Sequence, residues 1–199
     1  MLIPQPLPLH RESQPFDDPN WIYEIRHEAV RALAVIERGT CRLFSGNRHK
    51  LYGFRDLRLA LVHELNAVEA VLDGALAVPG PIGGRQASRT NRHRAACYYA
   101  FDLVWVDGQD LRAQPLLFRK ERLRLILPVR SAHVLYVDHA RGAGQRLYQL
   151  ACEMDLEGIV ARRADSPYEL QDGFSSWLTI PNPSYSRKER KPALLKRPA

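Results

Sequence analysis

The residues with chemistry to offer concentrate in one stretch, Tyr23 to Ala32, where Glu24, Arg26, Glu28 and Arg31 interrupt an apolar run. Guanidiniums grip phosphate oxygens in a planar, two-pronged way. What Arg26 cannot do is attack phosphorus. A nitrogen nucleophile needs a neutral amine with a free lone pair, which lysine supplies when its surroundings depress its pKa. A guanidinium keeps its proton (pKa above ~12) and its lone pairs are delocalised. Other chemistries find no support. Cys41, Cys97 and Cys152 are widely spaced, form no CxxC pair and have no histidines placed for zinc, so they read as buried free thiols. No GxGxxG or Walker-type loop is present, which argues against dinucleotide and P-loop folds.

The elements that must carry these residues are mixed. With 199 residues and 45% hydrophobic content, the chain suffices for one domain with a core. Apolar or alternating runs predict strands over Trp21–Ile25, Ala32–Glu37, Cys41–Ser45, Cys97–Val106, Val134–Asp138, Gly158–Ala161 and Trp177–Ile180. A further strand, Ala70–Val78, is expected to be interrupted at Asp73-Gly74. Leu57, Leu61, Leu65 and Val68 recur at helical spacing and predict a helix over Phe54–Val71, with further helices over Phe118–Leu127 and Gly144–Met154. Strands and helices without regular βαβ alternation indicate an α+β fold. No run of eighteen apolar residues exists, which argues against a membrane span. Met1 to His10 alternates proline with leucine and isoleucine and lacks the basic start of a secretory signal, so the expected compartment is the cytoplasm.

Net charge is +7, and only five of the 29 basic residues are lysines. That excess favours a polyanionic partner, nucleic acid foremost, although arginine-rich codon usage gives the same composition. Pro79–Arg94, carrying Arg85, Arg89, Arg92, His93 and Arg94, reads as a mobile basic surface loop, and Ser184–Ala199 as a basic, disordered tail. Residues 1–14 read as an extended N-terminal segment and 15–183 as the folded domain.

Several blocks, in order, resemble the adenylation domain of ATP-dependent DNA ligases, especially the bacterial end-joining ligase D type. Pro15 to Trp21 is similar to the lead-in. The segment Glu24-Ile25-Arg26-His27-Glu28-Ala29-Val30-Arg31 resembles motif I, Leu72-Asp73-Gly74-Ala75-Leu76 motif III, and Tyr98 to Trp105 motif IIIa. Leu156 to Arg163 resembles motif IV and Trp177 to Pro183 motif V. The resemblance implies the fold of DNA ligases and mRNA capping enzymes: two antiparallel sheets with flanking helices around a nucleotide cleft. It implies ATP and Mg²⁺ as cofactors and nicked or broken DNA as partner. The implied reaction runs from a lysine adenylate, through transfer to a 5′-phosphate, to displacement of AMP by a 3′-hydroxyl.

Against that pattern the chain departs at the reacting centre. Arg26 stands at the nucleophilic lysine, Glu28 at the aspartate and Ala29 at the glycine of motif I. Ala75 replaces the motif III glutamate that serves ribose or metal. Thr179 and Pro181 replace the two motif V lysines, Arg162 replaces the motif IV lysine, and Gly46 replaces the arginine after Ser45. Losing one preorganised cation at a developing charge typically costs ~10²–10³ in rate. What the resemblance leaves in place is Glu24 toward the adenine amino group, Phe101 as a base platform, Arg31 toward phosphate or ribose, and Glu157 toward magnesium. Among the lysines, Lys120 is expected on a helical face and Lys188, Lys191 and Lys196 in the tail. That leaves Lys50 as the one expected near the cleft. Ligase cores continue into an OB-fold, for which the residues after Pro183 are too few; a separate chain would have to supply it.

Three readings stand. The chain is a catalytically degenerate adenylation domain with residual nucleotide or DNA binding, or an active ligase using a displaced nucleophile or a partner chain, or a DNA-binding repair accessory without a nucleotide site.

Overall fold

The computed structural model describes residues 3–78, 95–170, 173 and 175–186. The basic loop expected over Pro79–Arg94 and most of the basic tail fall outside the described residues. Two sheets face each other. The smaller contains β1 (His10–Arg11), β2 (Trp21–Ile25), β10 (Ala140–Arg141), β11 (Gly158–Arg163) and β12 (Trp177–Pro181), in the order β1-β12-β11-β2-β10. The larger runs β5 (Lys50–Leu51), β4 (Thr40–Ser45), β3 (Val30–Glu37), β6 (Ala70–Ala77), β7 (Cys97–Val106), β8 (Gln109–Asp110), with β9 (Val134–Tyr136) also pairing with β7. Pairing is antiparallel except at β1–β12 and β7–β9, which are parallel. This is the two-sheet α+β architecture that the motif pattern implies.

Among the described residues, three helices cover the outer faces. α1 (Arg55–His63) and α2 (Leu116–Ile126) close a core with the larger sheet, in which Leu57, Leu61, Leu123 and Ile126 meet Leu43, Leu72 and Tyr98. α3 (Gly144–Glu153) covers the smaller sheet through Ala151 against Tyr23, Ile159 and Ile180. Between the sheets lies a third cluster that includes Leu33, Val35, Val71, Phe101, Tyr168 and Trp177. The N-terminal segment is built into this layer: Leu7 is buried, and His10–Arg11 pair with β12.

The helix expected to reach Val71 stops at His63. The Asp107 carboxylate accepts from the backbone N–H groups of Val68 and Glu69, at 2.9 and 2.8 Å, and so turns the chain into β6. Val68 is consequently exposed while Leu65 remains buried. The irregularity expected in β6 at Asp73-Gly74 appears on its neighbour instead. Asp73 pairs with Asp102 and Gly74 with Ala100, which leaves Phe101 as the extra residue of a β-bulge. Bulges re-aim side chains, and this one frees Phe101 from the ladder beside the inter-sheet space. Gly74 fits because an added Cβ would lie 2.4 Å from the Tyr98 ring.

Asp102, fully buried, receives Nε and NH2 of Arg119 on α2, both at 2.8 Å, while Arg119 NH1 donates to the carbonyls of Gln114 and Ser166. Removing one partner of a buried ion pair strands the other charge. Arg119→Ala is therefore expected to lower unfolding free energy by about 3–5 kcal/mol, measured by urea denaturation; a loss below about 1 kcal/mol, the worth of an exposed pair, would contradict the description of this pair.

Candidate functional site

A cleft of about 240 Å³ opens between the sheets beyond the end of β2. Its walls include Glu24, Arg26, His27, Ala29 and Arg31 from the motif I stretch, Ala75, Tyr99 and Phe101 from the larger sheet, and Val160, Arg162 and Trp177 from the smaller. A larger hollow, about 420 Å³, is lined by Glu37, Glu69, Trp105, Asp110 and Arg112; of the motif blocks only the end of motif IIIa, Val104 and Trp105, reaches it, and none of the candidate site residues does. Its acidic lining suits phosphate poorly, so the smaller cleft is the candidate site.

At the inner end, three charged side chains are packed out of water. Glu24 and Val160 are cross-strand partners and Arg162 lies two residues along, so Glu24 and Arg162 meet diagonally on one face of the sheet. Arg162 NH1 ion-pairs with Glu24 Oε2, and Lys120 Nζ donates to Glu24 Oε1 at 2.5 Å. Lys120 also donates to the carbonyls of Val137 (3.0 Å) and Phe101 (3.4 Å). The Arg162 guanidinium lies between two rings, 4.2 Å from the Phe101 centroid and 4.3 Å from that of Trp177, a contact worth about 2 kcal/mol when desolvated. Burial pulls the Arg162 pKa down to about 9, which still leaves it charged at neutral pH, and burial lowers that of Lys120 as well. Among the described residues, Arg162 Nε has no hydrogen-bond partner.

Arg31 sits next along. Its Nε and NH2 fork onto Asp73, at 3.1 and 2.5 Å, its NH1 donates to the Leu7 carbonyl, and Tyr168 OH donates to the same Asp73 carboxylate at 2.7 Å. Burial works against the charge on Arg31. Asp73 more than offsets this and holds the guanidinium above its ordinary pKa.

The outer end carries the residues that the resemblance sets at the reacting centre. Arg26 N bonds to Gly158 O at 3.0 Å, one residue past the β2–β11 ladder, which sets Arg26 beside Glu157. Gly158 is required there: φ is +127°, and an added Cβ would lie 2.2 Å from Ile180 O. Arg26 NH1 donates to Thr179 Oγ1 at 2.9 Å, and Arg26 Nε lies 3.4 Å from Glu157 Oε2. His27 stacks on Tyr99 with ring centroids 4.1 Å apart and planes 7° from parallel, and burial lowers its pKa. Ala75 stands between Arg31 and Tyr99 across the strands and offers no oxygen. Burial raises the Glu157 pKa, Arg26 opposes this, and the charge of Glu28 adds to it.

Of the sequence-derived candidates, Glu24, Arg26, Ala29, Arg31, Ala75, Phe101 and Arg162 line the cleft, and Glu157 and Thr179 reach it through Arg26. Glu28 is exposed, Gly46 forms the turn whose N–H bonds to Arg31 O, and Pro181 ends β12. For the lysines the expectation is corrected. Lys50 lies in the edge strand β5, packed on Tyr52, whereas Lys120 is buried against Glu24. A signal for this was present: Arg119 and Lys120 share the helical stripe of Leu116, Leu123 and Ile126, so both had to face inward. The three cysteines are free, but only Cys41 is buried; Cys97 and Cys152 are partly exposed.

The resemblance implies a magnesium ion at Glu157. The residues do not fit one well. Ala75 brings no oxygen, Arg26 already faces Glu157, and no group of three or more metal-ligating His, Cys, Asp or Glu side chains occurs among the described residues. Nor is any described helix long and apolar enough to cross a membrane.

The chain belongs to the ATP dependent DNA ligase domain family, whose model matches residues 9–180. It is 28% identical over 190 residues to the SPbeta prophage-derived DNA ligase-like protein LigB of Bacillus subtilis (strain 168), covering 91% of this chain and 68% of that protein. It is 30% identical over 173 residues to the multifunctional non-homologous end joining protein LigD of Pseudomonas aeruginosa, covering 80% of this chain but 20% of the relative. Among solved structures, a mycobacterial DNA ligase D complexed with ATP and MES aligns with a TM-score of 0.65 at 25% identity, over 88% of this chain and 60% of the other. The fold is thus that of the adenylation domain, and the chain spans only part of these proteins.

A pH test probes the inner end, where burial and then the charge of Lys120 pull the His139 imidazole from 6.5 to about 4. An unfolded chain takes up that proton near pH 6.5 and the folded chain only near 4. Stability is therefore fully present above pH 6.5 and falls as pH drops toward 4. His139→Gln is expected to flatten this part of the Tm-versus-pH curve; an unaltered curve would show an imidazole that titrates normally in the folded protein.

Proposed function

We propose that this domain holds a nucleotide in the inter-sheet cleft without forming a covalent nucleotidyl adduct, as a non-catalytic member of its family that works at nucleic-acid ends. The observation that carries this is Arg26. A guanidinium, bonded to Thr179 and facing Glu157, occupies the place of the attacking amine. It retains its proton and can grip a phosphate oxygen without bonding to phosphorus. Lys120 does not replace it: its ammonium is enclosed by Glu24 and two carbonyls, 1% exposed, with its donors turned to them.

In this reading Phe101 and Glu24 face the base, Arg31 and Arg162 fix the electrostatics of the cleft, and Arg26 meets the phosphates. The net charge of +7 supports DNA as the partner, and an OB-fold or end-joining chain would complete the clamp. A role at DNA ends also accords with the name of one relative, the multifunctional non-homologous end joining protein LigD.

Incubation with α-labelled ATP and Mg²⁺ followed by a denaturing gel is expected to show no adenylated protein, while calorimetry detects reversible ATP binding. Arg26→Lys alone is expected to leave the gel blank, because Ala75, Thr179 and Pro181 still deprive the developing charge of its partners, at ~10²–10³ in rate for each lost stabiliser. A labelled band from the wild type, or a strong one from Arg26→Lys, would overturn this account.

A further inference from the structure

Each acid around the cleft already has a cation built in beside it. Glu24 is shared by Lys120 and Arg162, Asp73 takes the fork of Arg31 and the hydroxyl of Tyr168, and Glu157 faces Arg26. A magnesium ion wants near-octahedral oxygen ligands at ~2.0–2.1 Å, usually one or two carboxylates with substrate phosphates and water. To ligate Glu157 it would have to separate Oε2 from Arg26 Nε, and it would find a methyl group at Ala75 in place of a second carboxylate. The guanidinium itself is well placed to act in the metal's stead. Nε faces Glu157 and NH1 bonds to Thr179 Oγ1, so the head is tethered on one side. NH2 and the second N–H of NH1 remain, and the side chain is 36% exposed at the cleft mouth.

We infer that the cleft binds a polyphosphate chain without a divalent cation, Arg26 supplying as a fixed guanidinium the counter-charge that a metal would otherwise bring. This rests on the nucleotide-binding reading of the same cleft and specifies its ligand as the metal-free, fully charged triphosphate. Mg²⁺ then becomes a competitor: it neutralises the phosphates before Arg26 can, and gains no carboxylate in return.

The test is calorimetric titration of the purified full chain with ATP, once in excess EDTA and once in Mg²⁺, with inorganic tripolyphosphate as the displacing probe. Binding in EDTA is expected to equal or exceed that in Mg²⁺, and tripolyphosphate to displace ATP. Arg26→Gln is expected to weaken binding in EDTA about tenfold or more, the scale of a lost charge-assisted hydrogen bond, with Tm held near the wild-type value because the side chain is partly exposed. Glu157→Gln, which removes the carboxylate competing for Arg26, is expected to tighten binding in EDTA several-fold. Binding at least tenfold tighter in Mg²⁺, an Arg26→Gln variant that binds like wild type in EDTA, or failure of tripolyphosphate to displace ATP would overturn the inference alone. Absence of ATP binding in both buffers would overturn the nucleotide-binding reading and the inference with it.

Discussion

Acids carried into an apolar interior have to be neutralised there, and the space between the two sheets is organised around that requirement. Glu24, Asp73 and Asp102 are at most 1% exposed. Each is answered by a basic side chain from a different element: Lys120 and Arg119 from α2, Arg162 from β11, Arg31 from β3. A buried ion pair adds little net stability over an apolar pair of the same shape, but breaking one is expensive. The pairs therefore tie the sheets and α2 together and leave the cleft walls charged.

The same arrangement determines what the cleft can do. Deep in it, Arg162 lies between Phe101 and Trp177, the Phe101 position being created by the bulge in β7. At its mouth, Arg26 is held by Thr179 and Glu157, two residues that in the family pattern would be a lysine and a metal ligand. Two of the departures from the family pattern touch directly, Arg26 NH1 donating to Thr179 Oγ1. Relative to the family pattern a guanidinium stands at the nucleophile position, an acceptor hydroxyl at a motif V lysine position and a methyl group at the motif III acid position, which is the ground of the proposed non-covalent role.

Much of the fold was legible from short-range pattern. The strands over Trp21–Ile25 and Cys97–Val106 match their expected limits, because apolar runs bounded by turn residues leave little choice. The helix expected through Val71 was overextended: it ends at His63, and Asp107, a residue far along the chain, holds the N–H groups of Val68 and Glu69 in the turn into β6. Lys120 was misplaced for a related reason. Its helical stripe was readable, but the buried acid that makes an inward lysine tolerable lies on β2, in the other sheet.

What the sequence by itself determined is chemical identity: that position 26 holds a guanidinium, a group that keeps its proton, and that motifs in a fixed order carry the adenylation-domain fold. Which acid neutralises which base, which ring faces the cleft, and that Arg26 is tied to Thr179 and Glu157 were decided only by tertiary structure. Hydrogen bonds, ion pairs and ring contacts depend on distances of a few ångströms between residues far apart in the chain, 153 positions in the case of Arg26 and Thr179, and a linear pattern holds no record of such distances until the sheets have closed on one another.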